Sequence, residues 1–161
     1  AEYGLVLAAG SPDEEGIGND VAALISELQR TRKNVWWIKE MLSHDQLTAM
    51  LTAADLFICP SIYEPLGIVN LEAMGCETAV LGSRVGGIPE VVADKETGEL
   101  VDYNGDAAPF EKALTESITR LMAQPDLLKK YGTAGRIRAQ KLFGWDAVAA
   151  LTVDLYRRVI A

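Results

Sequence analysis

The sequence predicts an α/β fold, a parallel sheet with helices on both faces. Short apolar runs alternate with longer stretches of helical periodicity from residue 4 to about residue 93. The runs give way to glycine, proline or polar residues before the next helix. Strands that alternate with helices favour a parallel sheet, because each crossover helix returns the chain to the same end of the sheet.

The elements follow in order. Residues 4–9 read as a buried strand closed by Gly10-Ser11-Pro12, and a polar loop with Gly16 and Gly18 comes next. Val21, Leu24, Ile25 and Leu28 recur at helical spacing and predict an amphipathic helix from about 19 to 31. Val35-Trp36-Trp37-Ile38 is the second strand. Ser43 and Gln46 have capping-box spacing, so a helix begins there and carries Leu47, Met50, Leu51 and Ala54. Residues 55–59 form the third strand, 67–75 a helix, and Thr78 to Gly82 the fourth strand. Gly86-Gly87 opens a short helical turn through Ile88, Val91 and Val92, and Thr97 to Val101 reads as an edge strand. The rest is helical. Asp106 caps a helix to about 123, Pro125 opens one to about 142, and the last begins near Trp145 and carries Leu155, Tyr156, Val159 and Ile160.

A chain of 161 residues, 49% hydrophobic, suits a single domain over 1–161 with a sizeable core. Its net charge of −8 repels phosphate backbones and argues against a nucleic-acid partner. No apolar run is long enough to span a membrane. Cys59 and Cys76 read as two buried free thiols of a cytoplasmic protein. His44 is the only histidine and reads as a solvated residue of a helix start, so no metal site is expected. Trp36, Trp37 and Trp145 read as core or interface residues, and Arg84 as a surface residue or a phosphate partner.

The stretch with the most chemical content runs from Glu64 to Glu72. Glu64 sits in a loop just after a strand, before Pro65, which biases it away from helical angles. Glu72 lies among apolar neighbours about one turn inside the next helix, roughly 7 Å along its axis. Two solvated acids near a helix start are the plainest account of the pair. The alternative is a ligand site beyond the carboxyl ends of the strands. There Gly67 would admit close approach, and the N–H groups of Gly67, Ile68 and Val69 would face an anion. Gly86-Gly87 repeats that logic.

Residues 60–92, PSIYEPLGIVNLEAMGCETAVLGSRVGGIPEVV, resemble the signature segment of retaining glycosyltransferases with two Rossmann-type domains, the GT-B group. The Glu-x7-Glu pair and the GGIPE loop carry the resemblance. Ala53-Ala54-Asp55 and Phe143-Gly144-Trp145 extend it along the chain. Within that group, residues 63–74 and Trp37-Ile38-Lys39-Glu40-Met41-Leu42 are most similar to the bacterial glycogen synthases of glycosyltransferase family 4. Those enzymes move glucose from ADP-glucose to an α-glucan, or to glucose 1-phosphate to make maltose 1-phosphate. The resemblance implies a Rossmann-like donor-binding domain with a helical C-terminal segment, needing no cofactor or metal, with ADP-glucose or UDP-glucose as donor substrate.

It also implies residue roles. Glu64, the catalytic residue, would hold donor-sugar hydroxyls together with the N–H groups of Leu66 and Gly67. Ile68 and Val69 would offer N–H groups to the diphosphate. Glu72 would accept from the ribose, and Met41 and Leu42 would line the base pocket. In the family an Arg and a Lys on a loop before residue 1 meet the diphosphate. An acceptor domain and a first strand also precede that point. By itself the chain is therefore expected to leave one sheet edge unpaired, to bind nucleotide weakly and to transfer no sugar. Three other readings stay open: a glycoside hydrolase, a non-catalytic nucleotide-sugar module, and a retaining transferase of another pathway with a different donor and acceptor.

Overall fold

The computed structural model describes residues 3–10, 12 and 15–160, which fall into two compact units, Ala1–Leu47 and Thr48–Ala161. Strands and helices alternate as expected, and every strand pair is parallel. Hydrogen bonding gathers the strands into two sheets, one of two strands and one of three. No helix among the described residues is long and apolar enough to cross a membrane.

In the first unit, β1 (Leu5–Ala8) pairs with β2 (Val35–Ile38), joined by α1 (Glu15–Thr31). The strand expected to be buried is only half so. Leu5 and Leu7 are partly covered, while Val6 and Ala8 are exposed. Side chains alternate between the two faces of a strand, so the covered pair and the open pair lie on opposite faces of β1. The helix also begins earlier than its apolar spacing suggests and takes in Gly16 and Gly18. A Cβ at Gly18 would lie 2.6 Å from Pro12 Cγ, so this glycine allows a close approach where the pattern read as loop. Ser11, part of the expected turn, lies outside the described residues. Trp37 Nε1 donates to Ala9 O at 3.1 Å and Lys39 Nζ sits 4.1 Å over its ring, whereas Trp36 is exposed. The capping box forms in full. Ser43 N donates to Gln46 Oε1 at 2.9 Å, and Gln46 N to Ser43 Oγ at 3.3 Å, at the head of α2 (His44–Ala53).

In the second unit, β3 (Leu56–Cys59), β4 (Ala79–Ser83) and β5 (Gly98–Val101) lie side by side in that order. All five residues of β4 are buried. Ala79 and Leu81 face a cluster of Phe110 and Leu121 from α5 (Ala107–Met122) and Leu128 and Tyr131 from α6 (Pro125–Arg138). Across the strand, a Cβ at Gly82 would lie 2.9 Å from Ile88 Cγ2 of α4 (Ile88–Val91), so helices cover both faces. Asp106 caps α5 by accepting from Ala108 N at 3.2 Å, and α3 (Ile68–Gly75) packs on α6 where Gly135 meets Met74.

The helix expected to reach 142 ends at Arg138 and widens into a π-helical turn, Ala139–Phe143, before α7 (Trp145–Ile160). The guanidinium of Arg138 donates to Val91 O and Glu90 O, both at 2.8 Å, which ties this helix end to α4. No residue of α7 is buried, and Trp145, expected in a core or interface, is 88% exposed.

Among the described residues of the second unit, one charged side chain is buried. Glu99 of β5 is 2% exposed and meets both Arg120 terminal nitrogens, Lys95 Nζ at 2.5 Å and the Tyr131 hydroxyl, which donates at 3.3 Å. Burial pushes its pKa up, but the Arg120 and Lys95 hydrogen bonds outweigh that and hold it below the ordinary value.

Candidate functional site

The site is built where β3 and β4 end. From Cys59 the chain turns at Pro60 into the loop that carries Glu64. The segment after β4 clasps this loop. Ser83 Oγ donates to Ser61 O, and Gly87 N donates to Glu64 O at 3.0 Å. Gly86 has φ +51°, and any side chain there would run into the Glu64 carbonyl oxygen; a Cβ at Gly87 would lie 2.6 Å from Leu66 Cα. The double glycine thus holds the Glu64 loop rather than cradling an anion. The Gly87 amide is engaged by Glu64 O and the Ile88 amide by Val85 O.

Gly67 then starts α3 with φ +86°, a left-handed conformation that glycine adopts without strain. Its N–H donates to Glu64 Oε1 at 3.0 Å. The carboxylate therefore sits at the positive end of the helix and caps one orphan donor. The next two amides, of Ile68 and Val69, have no acceptor among the described residues, and both side chains are exposed. Leu66, just before them, is exposed as well. Further along α3, Glu72 is half-buried with no hydrogen bond to its carboxylate among the described residues. It lines an open, mostly apolar cleft of about 280 Å³ with Leu71, Ala139, Gln140, Phe143 and Gly144.

One loop and one helix thus bring together Glu64, Leu66, Gly67, Ile68, Val69 and Glu72. The arrangement offers a carboxylate and open amides at a helix N-terminus, while Gly67 itself is buried and makes room for Asn70 and Ile88. That combination suits an oxygen-rich anionic ligand. Met41 and Leu42 belong to the first unit, between β2 and the capping box, where Met41 is 91% exposed and Leu42 half-buried.

Three features differ from the sequence reading or add to it. Arg84, weighed as a phosphate partner, is held by Asp94 at 2.6 Å and Asp102 at 2.7 Å. Cys59 is buried, but Cys76 is only half-buried, and both thiols are free. Asn70, which the sequence pattern does not single out, is fully buried beside Gly67. Its one signal in the sequence is a polar residue inside the apolar run Gly67 to Met74.

The chain matches the family described as "Glycosyl transferases group 1" over residues 6–138. It is 49% identical over 158 residues to an alpha-maltose-1-phosphate synthase of Mycolicibacterium smegmatis, covering 98% of this chain and 41% of that protein. A D-inositol 3-phosphate glycosyltransferase of Streptomyces bingchenggensis is 38% identical over 114 residues, 71% of this chain and 24% of that one. Among solved structures, sucrose-phosphate synthase from Thermosynechococcus elongatus superposes with a TM-score of 0.79 at 33% identity, over 99% of this chain and 38% of that one. The chain spans about two fifths of the length of the maltose-1-phosphate synthase it matches. The matches support the broader glycosyl transferase kinship, and the relative at 49% identity is a maltose-1-phosphate synthase rather than a glycogen synthase. With its parallel α/β fold and the family match over most of its length, the chain belongs to the group 1 glycosyl transferases.

Proposed function

We propose that this chain is the donor-binding part of a cytoplasmic, retaining hexosyltransferase that moves glucose from ADP-glucose or UDP-glucose to glucose 1-phosphate, giving maltose 1-phosphate. The observation that carries this reading is the 49% identity to an alpha-maltose-1-phosphate synthase over nearly the whole chain. Elongation of an α-glucan is the second reading, favoured by the likeness of residues 63–74 to glycogen synthases.

The chemistry follows from the loop and helix. A diphosphate placed at the start of α3 would accept from the open amides of Ile68 and Val69, with the helix dipole favouring its charge. Donor-sugar hydroxyls would lie against the Leu66–Gly67 turn and bond the Glu64 carboxylate. Positive charge grows on the anomeric carbon as the leaving group departs, so an anion held nearby acts most strongly in the transition state. Glu72 would accept from the ribose hydroxyls, and Met41 and Leu42 would border the base. The acceptor would be held by parts of the protein outside this chain.

The test uses the protein at its full natural length. ADP-glucose and UDP-glucose are each offered with glucose 1-phosphate and with glycogen, and the products are separated. Maltose 1-phosphate is the expected product; elongated glycogen alone supports the second reading, and no donor consumption with either acceptor overturns both. Glu64→Gln should lower kcat at least tenfold. Glu72→Gln should raise donor KM more than it lowers kcat, because ribose bonds are similar in ground and transition states.

A further inference from the structure

Among the described residues, buried polar side chains are satisfied with one exception. Thr78 Oγ1 donates to Leu51 O, Ser83 to Ser61 O, Thr97 Oγ1 accepts from Ala93 N, and Glu99 is held by Arg120. Asn70 has 0% exposure, and neither Nδ2 nor Oδ1 has a hydrogen-bond partner among the described residues. A buried amide left unpaired is unfavourable, and its persistence calls for a reason.

Its position supplies one. The point that a side chain on Gly67 would occupy lies 2.8 Å from Asn70 Nδ2 and 3.7 Å from Glu64 Cγ. The Asn70 amide and the Glu64 side chain therefore border the same small space beneath the loop. The Glu64 carboxylate meanwhile sits on the Gly67 N–H. A ligand that uses that N–H must first displace the carboxylate.

We propose that Asn70 is a positioning residue for Glu64. When an oxygen of the nucleotide sugar takes the Gly67 N–H, the carboxylate turns onto Asn70 Nδ2 and is held there toward the sugar. Without ligand, Glu64 satisfies Gly67 and the Asn70 amide is orphaned. With ligand, the Gly67 N–H bonds the ligand and one Asn70 Nδ2–H bonds Glu64, so both amide groups that border the carboxylate have a partner. Pairing of Nδ2 relieves part of the cost of the orphaned amide only in the bound arrangement, and so favours it. This inference rests on the donor-site reading given above.

The experiment compares wild type, Asn70→Leu and Asn70→Ala in the full-length protein. It reads the ligand-free thermal midpoint together with kcat and KM for the nucleotide sugar. Asn70→Leu should melt no lower than wild type, because it removes an unpaired amide, yet kcat/KM should fall at least tenfold in both variants. A purely structural asparagine would not give that opposition of sign. A folded variant with kcat/KM within twofold of wild type overturns the proposal, and so does loss of folding in both, which would make Asn70 a core residue only. Wild type that consumes no nucleotide sugar is a separate outcome: it removes the donor-site reading itself, and this inference with it.

Discussion

The two compact units are made from the same alternation of strand and helix, yet among the described residues a continuous buried cluster is seen in the second. α1 and α5 are of similar length, 17 and 16 residues, and both are amphipathic. α1 fully buries Ile25 alone, whereas α5 buries Phe110 and Leu121 against Leu81 and Tyr131. The difference lies in the sheets. β4 has a strand on each side and helices on each face, so all five of its residues are buried. β1 and β2 have only each other, and exposed residues remain on both. Amphipathic pattern makes a helix, but a central strand makes a core.

The sharpest test of this contrast is truncation at the centre. Leu81→Ala, at a fully buried position of β4, should destabilise the 161-residue chain by about 2–5 kcal/mol, measured by urea unfolding. A loss under about 1 kcal/mol would mean that β4 is not the core of the second unit.

Gly86→Ala asks whether that rigidity extends to the site. Its side chain would enter the Glu64 carbonyl from a left-handed backbone, and should cost about 2–3 kcal/mol. It should also shift the amide resonances of residues 64–67 in NMR spectra. Unchanged resonances would show that the two loops do not support each other.

Glu99→Gln probes the charge that links β5 to α5 and α6. Loss of its charge-assisted bonds should cost about 1–3 kcal/mol at neutral pH. The folded carboxyl titrates below its ordinary value of 4.5. Its contribution is therefore complete above that value and disappears as pH falls through the lowered one. Wild type and variant should converge in acid, and a constant gap across the pH range would contradict the ionised pairing.

The smallest effect belongs to the first unit. Leu24→Ala, at a position of α1 that is 68% exposed, should change stability by no more than about 0.5 kcal/mol. Hydrogen exchange extends the comparison, since β1 amides should exchange well before those of β4. Equal protection would erase the distinction between the units.

The order of the elements and most of their starts can be read from the amino acids alone. Local chemistry sets these. Ser43 and Gln46 bond reciprocally, Asp106 caps α5, and Pro125 opens α6, all within a few residues of chain. The loop–helix spacing of Glu64, Gly67 and Glu72 was legible for the same reason, since a helix start and its rise are local properties. The folded molecule sets the rest, which depends on contacts between distant parts of the chain. It distributed the strands between two sheets and left β1 half-exposed, because strand pairing joins residues far apart in sequence. It drew Gly16 and Gly18 into α1, where packing of Pro12 against Gly18 overrides propensity. It gave Gly86 and Gly87 the task of supporting the Glu64 loop, placed Arg84 between two aspartates, and buried Asn70 beside Gly67 without a partner. Contacts of this kind bring together backbone and side chains from separate strand ends, and no periodicity along the chain encodes them.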